Sequence, residues 1–182
     1  MKGRVRMPIH AMIKALMGIG AGFAAMPAAP ASAQSPQAEA GLPQAIQAAG
    51  TTPALMLHAQ GAQIYACQAD SAGKQSWAYR EPIAALLIDG KTVGRHYAGP
   101  TWELENGGKI QGKVSARAPA PGAVSGDIPW LKLEAIAPAT GPLAGMRFIQ
   151  RIHTHGGALE GACQQAGELR AIAYSADYVF LR

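Results

Sequence analysis

The sequence predicts a single all-β domain, an antiparallel β-sandwich or barrel of about eight to ten short strands held by one disulfide. Three observations carry that reading. Apolar or alternating runs recur from Pro53 to the C-terminus, separated by turn residues. No run keeps helical spacing long enough to specify a helix, and no repeat of 20–50 residues is visible. The chain also carries two cysteines, Cys67 and Cys163, an even count of the kind that staples exported domains. At 182 residues, 49% apolar and 15% charged, one domain can bury a core, and collagen, coiled coil and multi-pass membrane architectures are excluded.

Residues 1–33 read as a cleavable secretory signal. Lys2, Arg4 and Arg6 precede an apolar run from Met12 to Met26, followed by Pro27, Pro30 and the small triplet Ala31-Ser32-Ala33. The run is short for a membrane span and carries Lys14, so contact with the membrane is expected only during export. The absence of a twin-Arg pair favours the general secretory route. Gly18-Ile19-Gly20-Ala21-Gly22 imitates a nucleotide loop but has no preceding strand and no suitably placed acid, so no cofactor is expected. Removing the four positive charges of this segment from 16 Lys+Arg leaves 12 against 11 Asp+Glu, a net of +1. The pI of about 9.4 is thus a property of the leader, and nucleic acid is not an expected partner.

Residues 34–52, rich in Ala, Gln and Pro, form a leader in which Leu42 and Ile46 could dock through a short helical turn. The domain proper is 53–182. Its candidate strands are Ala54–Gln60, Ala62–Cys67, Gln75–Arg80, Ala84–Asp89, Thr92–Ala98, Thr101–Glu105, Lys109–Arg117, Trp130–Ile136, Met146–Thr154 and Leu169–Phe180. A three-residue hairpin loop, Asn106-Gly107-Gly108, would pair Glu105 with Lys109 and Leu104 with Ile110. Trp102, Leu104, Ile110 and Val114 then face the core, while Glu103, Glu105, Lys109, Gln111, Lys113 and Arg117 face water. In the last strand Ile172, Tyr174, Ala176, Tyr178 and Phe180 form the apolar face. Cys67 and Cys163 are read as a structural disulfide, with separate buried thiols as the alternative; the Cys-x-x-Cys spacing of a redox pair is absent.

A resemblance emerges from the ordered motifs Gly61-Ala62-Gln63-Ile64-Tyr65-Ala66-Cys67 and Gly94-Arg95-His96-Tyr97-Ala98-Gly99-Pro100-Thr101-Trp102-Glu103. Ile128-Pro129-Trp130-Leu131, Ile149-Gln150-Arg151, Thr154, Gly156-Gly157, Cys163 and Tyr174-Ser175-Ala176-Asp177-Tyr178 follow. Together they resemble an exported domain family of unknown function found in bacteria and fungi, over residues 42–182. The resemblance implies a secreted or periplasmic domain and supports pairing Cys67 with Cys163; it implies no activity. The pair His153 and His155 departs from the family pattern, so no role for it is inherited.

Two constellations could carry chemistry. His153 and His155 would share a strand face with Arg147 and Arg151, a possible half of a metal site lacking its remaining ligands, or a basic face for an anion. The Gly99-Pro100 break would aim His96, Tyr97, Trp102 and Glu103 around a ligand-binding corner. Histidine with carboxylate could do acid–base work, although strand parity sends Glu103 outward when Trp102 points in. No motif of a standard hydrolase is present and no residue is assigned a catalytic role. The sequence therefore favours an exported, non-catalytic binding or envelope-associated module whose partner is a small molecule, glycan or envelope protein. The alternative is a small hydrolase or metal-dependent enzyme using His96/Glu103 or His153/His155.

Overall fold

A computed structural model describes residues 41–182; the segment read as a secretory signal, 1–33, and the start of the leader lie outside the described residues. The chain forms eight strands: β1 (Pro53–Ala69), β2 (Gln75–Ile88), β3 (Lys91–Tyr97), β4 (Thr101–Leu104), β5 (Lys109–Ala118), β6 (Trp130–Ala135), β7 (Phe148–Gly156) and β8 (Leu169–Leu181). Each pairs antiparallel with the next, and β8 closes on β1 to make an up-and-down barrel. Closure removes sheet edges, which decides between the barrel and the sandwich.

Ten candidate strands become eight because two pairs fuse. Gly61 does not end the first strand. It sits opposite Ala84, where a Cβ would overlap the Ile83 carbonyl oxygen and Ala84 itself. The glycine lets β1 and β2 approach closely as the barrel coils. Pro82, which reads as a break, stays inside β2 because β3 begins pairing only at Ala84, so its missing N–H faces no neighbour there. A bulge between Ile64 and Tyr65 on the β1–β2 ladder absorbs the local bend.

The β4–β5 register also differs from the expectation by two residues. Trp102 pairs with Ile110 and Glu103 with Lys109. Gly107 (φ 89°) is the left-handed residue of the loop, while Gly108 lies against Leu104 and Leu143, where a Cβ would crowd both. A two-residue slip preserves face parity, so Trp102, Leu104 and Ile110 remain buried.

Side chains at alternate positions fill the barrel. Leu57, Leu86, Ile110, Leu133, Ile149 and Phe180 close the lower half, and Leu143 plugs that end from a 3-10 turn at Gly141–Leu143. A second cluster lies outside the barrel wall, where Leu42, Ile46 and Ala48 cover Trp130, Ile152, Val179 and Leu181. This explains why β8 ends in consecutive buried residues instead of alternating ones. Gln150 Nε2 donates to the Ile46 carbonyl at 2.8 Å, and the backbones of Thr52 and Arg182 exchange two hydrogen bonds. Complete burial of Ile46 contributes about 1.5–3 kcal/mol.

Cys67, near the upper end of β1, is bonded to Cys163 in the segment before β8. Closing a loop of 96 positions constrains the unfolded chain by about 4–5 kcal/mol on the loop-entropy account.

Candidate ligand-binding site in the barrel mouth

The upper half of the barrel is not filled. A cavity of about 370 Å³ opens there, within the size range of small-molecule sites. Its wall follows strand alternation. On β1, Gln63 and Tyr65 continue inward from Leu57 and Ala59; on β8, Tyr178 lies in the row between Ala176 and Phe180. His96 comes from β3, Trp102 from β4, Tyr79 from β2 and Arg151 from β7.

Two bulges then set the charges. The β5–β6 ladder shifts between Val114 and Ala116, so Arg117 stands opposite Leu131 on the cavity side. The expectation that Arg117 faces outward with Lys113 is thereby corrected, since one extra residue reverses parity. On β7, Arg151 is paired between Leu131 and Tyr178 and faces the lumen. The ladder shifts again between Ile152 and His155, and His153 takes φ 49°. Arg151 and His153 therefore do not share a face, and the proposed joint basic patch is not formed.

His96 is the most constrained polar side chain of the cavity. Its ring stacks on Trp102 with centroids 4.5 Å apart and planes inclined by 12°, and Tyr178 flanks it at 4.9 Å. Nδ1 lies 2.9 Å from the Thr101 carbonyl, which can only accept, so Nδ1 carries the proton and Nε2 is the acceptor. Burial depresses its pKa to about 4, opposed by the bond to Thr101 and reinforced by Arg151. The imidazole is therefore neutral at neutral pH.

The phenols are also held neutral. Burial raises the pKa values of Tyr65, Tyr79, Tyr174 and Tyr178, while the Arg151 charge acts on all four in the opposite sense. Tyr65 donates to the Gly157 carbonyl at 2.8 Å. Gln63 Nε2, Trp102 Nε1 and Tyr178 OH, all on lining residues, have no hydrogen-bond partner in the protein. The Tyr174 hydroxyl and Arg151 neighbour the Tyr178 hydroxyl outside strict hydrogen-bond geometry.

Arg151 donates through Nε and Nη2 to the Pro129 carbonyl at 3.2 and 2.8 Å. It makes no ion pair with any described carboxylate, and no Asp or Glu lines the cavity. Arg80, at the rim, is paired with Glu81 at 3.1 Å.

The corner expected from His96, Tyr97, Trp102 and Glu103 is split by the barrel wall. His96 and Trp102 line the lumen; Tyr97 and Glu103 are on the outside. There the Tyr97 hydroxyl donates to Glu103 at 2.6 Å and Arg95 to the same oxygen at 3.0 Å, holding that carboxyl below its ordinary pKa. Histidine and carboxylate therefore lie on opposite faces of the wall, and the structure does not bring His96 and Glu103 together.

His153 and His155 also go separate ways. Asp177 accepts from His58 Nδ1 at 2.8 Å and from His153 Nδ1 at 2.9 Å, one on each oxygen. His155 is instead among the charges acting on Asp127, whose carboxylate accepts from the Gly156 and Val124 amides. Among the described residues no group of three or more His, Cys, Asp or Glu is arranged to hold a metal ion.

Sequence alternation does not point to Gln63, Tyr65, Tyr79 or Tyr178 as ligand-facing residues, and it places Arg151 on an anion-attracting face only in company with His153 and His155. One signal was available. Gln63 stands at an inward position of an otherwise apolar row, and a polar residue there marks either a buried hydrogen bond or a lined cavity.

Residues 48–182 match the model of a family described as a protein of unknown function (DUF3455). No curated protein and no solved structure matches the chain.

Proposed function

We propose that this chain, which belongs to the DUF3455 family of proteins of unknown function, is an exported binding module that holds a small molecule in the barrel mouth without transforming it. The carrying observation is the walled cavity, lined by aromatic side chains together with Gln63, His96 and three arginines. Enclosure favours a small molecule over a glycan chain or an envelope protein, which would need an open shelf. The lining argues against turnover. It offers a neutral imidazole, neutral phenols and arginines, with neither a carboxylate nor a Ser or Cys nucleophile.

Export is supported by the disulfide, which persists in oxidising compartments. Among the described residues no helix is long and apolar enough to cross a membrane. Mass spectrometry of the protein recovered outside the cytoplasm is expected to find Gln34 as the first residue and the two cysteines joined.

The binding reading is tested with two naphthalene probes, 2-naphthoate and its neutral analogue 2-naphthylmethanol, titrated against the mature chain by calorimetry. At least one is expected to bind at a single site, and Val114→Trp, which fills the cavity from β5, is expected to abolish that binding while leaving the fold intact by circular dichroism. Failure of both probes, or undiminished binding by the folded variant, overturns the proposal.

A further inference from the structure

We infer that the occupant of the barrel mouth is an aromatic carboxylate whose carboxyl group is held by the guanidinium of Arg151 and whose ring enters the aromatic end of the cavity; this rests on the binding reading above. Four observations combine. The lining contains Arg80, Arg117 and Arg151 and no acidic residue, so the cavity selects against cations. Of the three, Arg80 is already paired with Glu81, whereas Arg117 and Arg151 form no ion pair with a described carboxylate.

The geometry of Arg151 adds the second. A guanidinium carries five N–H donors, and the Pro129 carbonyl engages only Nε and one proton of Nη2. The remaining protons are on Nη1 and Nη2, the pair that grips both oxygens of a carboxylate in parallel. Pro129 thus acts as a splint that fixes the plane of the guanidinium while leaving its end free.

Third, Arg151 is not a peripheral charge. It is paired between Leu131 and Tyr178 and lines the same cavity as Tyr65, Tyr79 and His96, which places it within the aromatic wall. Fourth, the wall suits a flat ring. Trp102 and His96 form a stacked pair and Tyr178 stands at 68° to Trp102, so the end of the cavity they line is built from aromatic rings of the kind a planar ring packs against. His96 Nε2, an acceptor with no hydrogen bond to a described side chain, would take a hydroxyl or N–H borne by the ring.

The test compares 2-naphthoate with 2-naphthylmethanol in the mature chain and in Arg151→Gln. The carboxylate is expected to bind the native protein roughly tenfold or more tightly than the alcohol, the worth of a charge-assisted hydrogen bond. In Arg151→Gln that preference is expected to fall to near unity. Should Arg151→Gln fail to fold, Arg151→Lys takes its place, keeping the charge without the paired donors, and is expected to lose most of the preference, whereas Arg117→Gln is expected to keep it; the reverse result overturns the assignment to Arg151. Equal binding of the two probes by the native chain overturns this inference and leaves the binding module standing. Failure of both probes overturns the binding module itself. A carboxylate preference that survives in folded Arg151→Gln overturns the assignment to Arg151.

Discussion

Acidification should weaken this fold through one buried imidazole. His96 is 3% exposed, its pKa depressed from 6.5 to about 4 by burial, with the Thr101 hydrogen bond opposing and Arg151 assisting. Above pH 6.5 the imidazole is neutral in both the folded and the unfolded chain, and its contribution is fully present. As pH falls from 6.5 the unfolded chain takes up a proton that the folded barrel refuses, so stability declines until the folded group titrates near pH 4. The interval corresponds to about 3 kcal/mol at ~1.4 kcal/mol per pH unit. A loss of that size is a substantial share of the roughly 5–15 kcal/mol that stabilises a domain.

The assay is urea unfolding across about pH 7 to pH 4, run on the native chain and on His96→Gln. The glutamine amide can still donate to the Thr101 carbonyl but cannot be protonated in this range. Glu103 and Asp127, whose carboxyls are held low by hydrogen bonds, also lose stabilising interactions as pH falls through their depressed values. Those losses are common to both proteins and cancel in the difference. The native chain is expected to lose about 3 kcal/mol more than the variant over this range. Parallel profiles would show that His96 is not held neutral, and the electrostatic description of the cavity would fail with it.

Two further outcomes follow from the fold. Cys67→Ser combined with Cys163→Ser should lower the urea-unfolding free energy by about 4–5 kcal/mol, because a loop of 96 positions is released in the unfolded chain; an unchanged midpoint would contradict the staple. Gly61→Ala places a Cβ onto the Ile83 carbonyl and Ala84, so β1 and β2 must separate locally. A loss of at least about 1–3 kcal/mol is expected, read as a fall in melting temperature, and a neutral effect would refute close approach as the reason for this glycine.

The residues of the site show how far local pattern reaches. Parity along a strand is a local property, so the inward rows of Trp102 with Leu104 and of Tyr174 with Tyr178 and Phe180 could be read directly from alternation. Parity also warned that His96 and Glu103 would part, and the barrel wall does separate them. Alternation fails wherever a strand gains a residue. The bulges after Val114 and Ile152 turn Arg117 into the lumen and His153 away from it, and neither bulge is announced by a glycine or a proline. Likewise Gly61 and Pro82 read as strand breaks, because the identity of the neighbouring strand decides whether a small or N–H-lacking residue interrupts a ladder.

By itself, then, the sequence determined the class of fold and the inward rows of its strands, while the docking of Leu42 and Ile46 and the joining of the two cysteines were expectations that the structure bears out. Each depends on residue type and periodicity. Closure into a barrel, the cavity above Trp102, and the gathering of Arg151, His96, Gln63 and Tyr178 from four different strands were decided only in three dimensions. The physical reason is that a binding site in a barrel mouth is built from positions tens of residues apart, brought together by ladder register. Register is an agreement between strands and is written in no one of them.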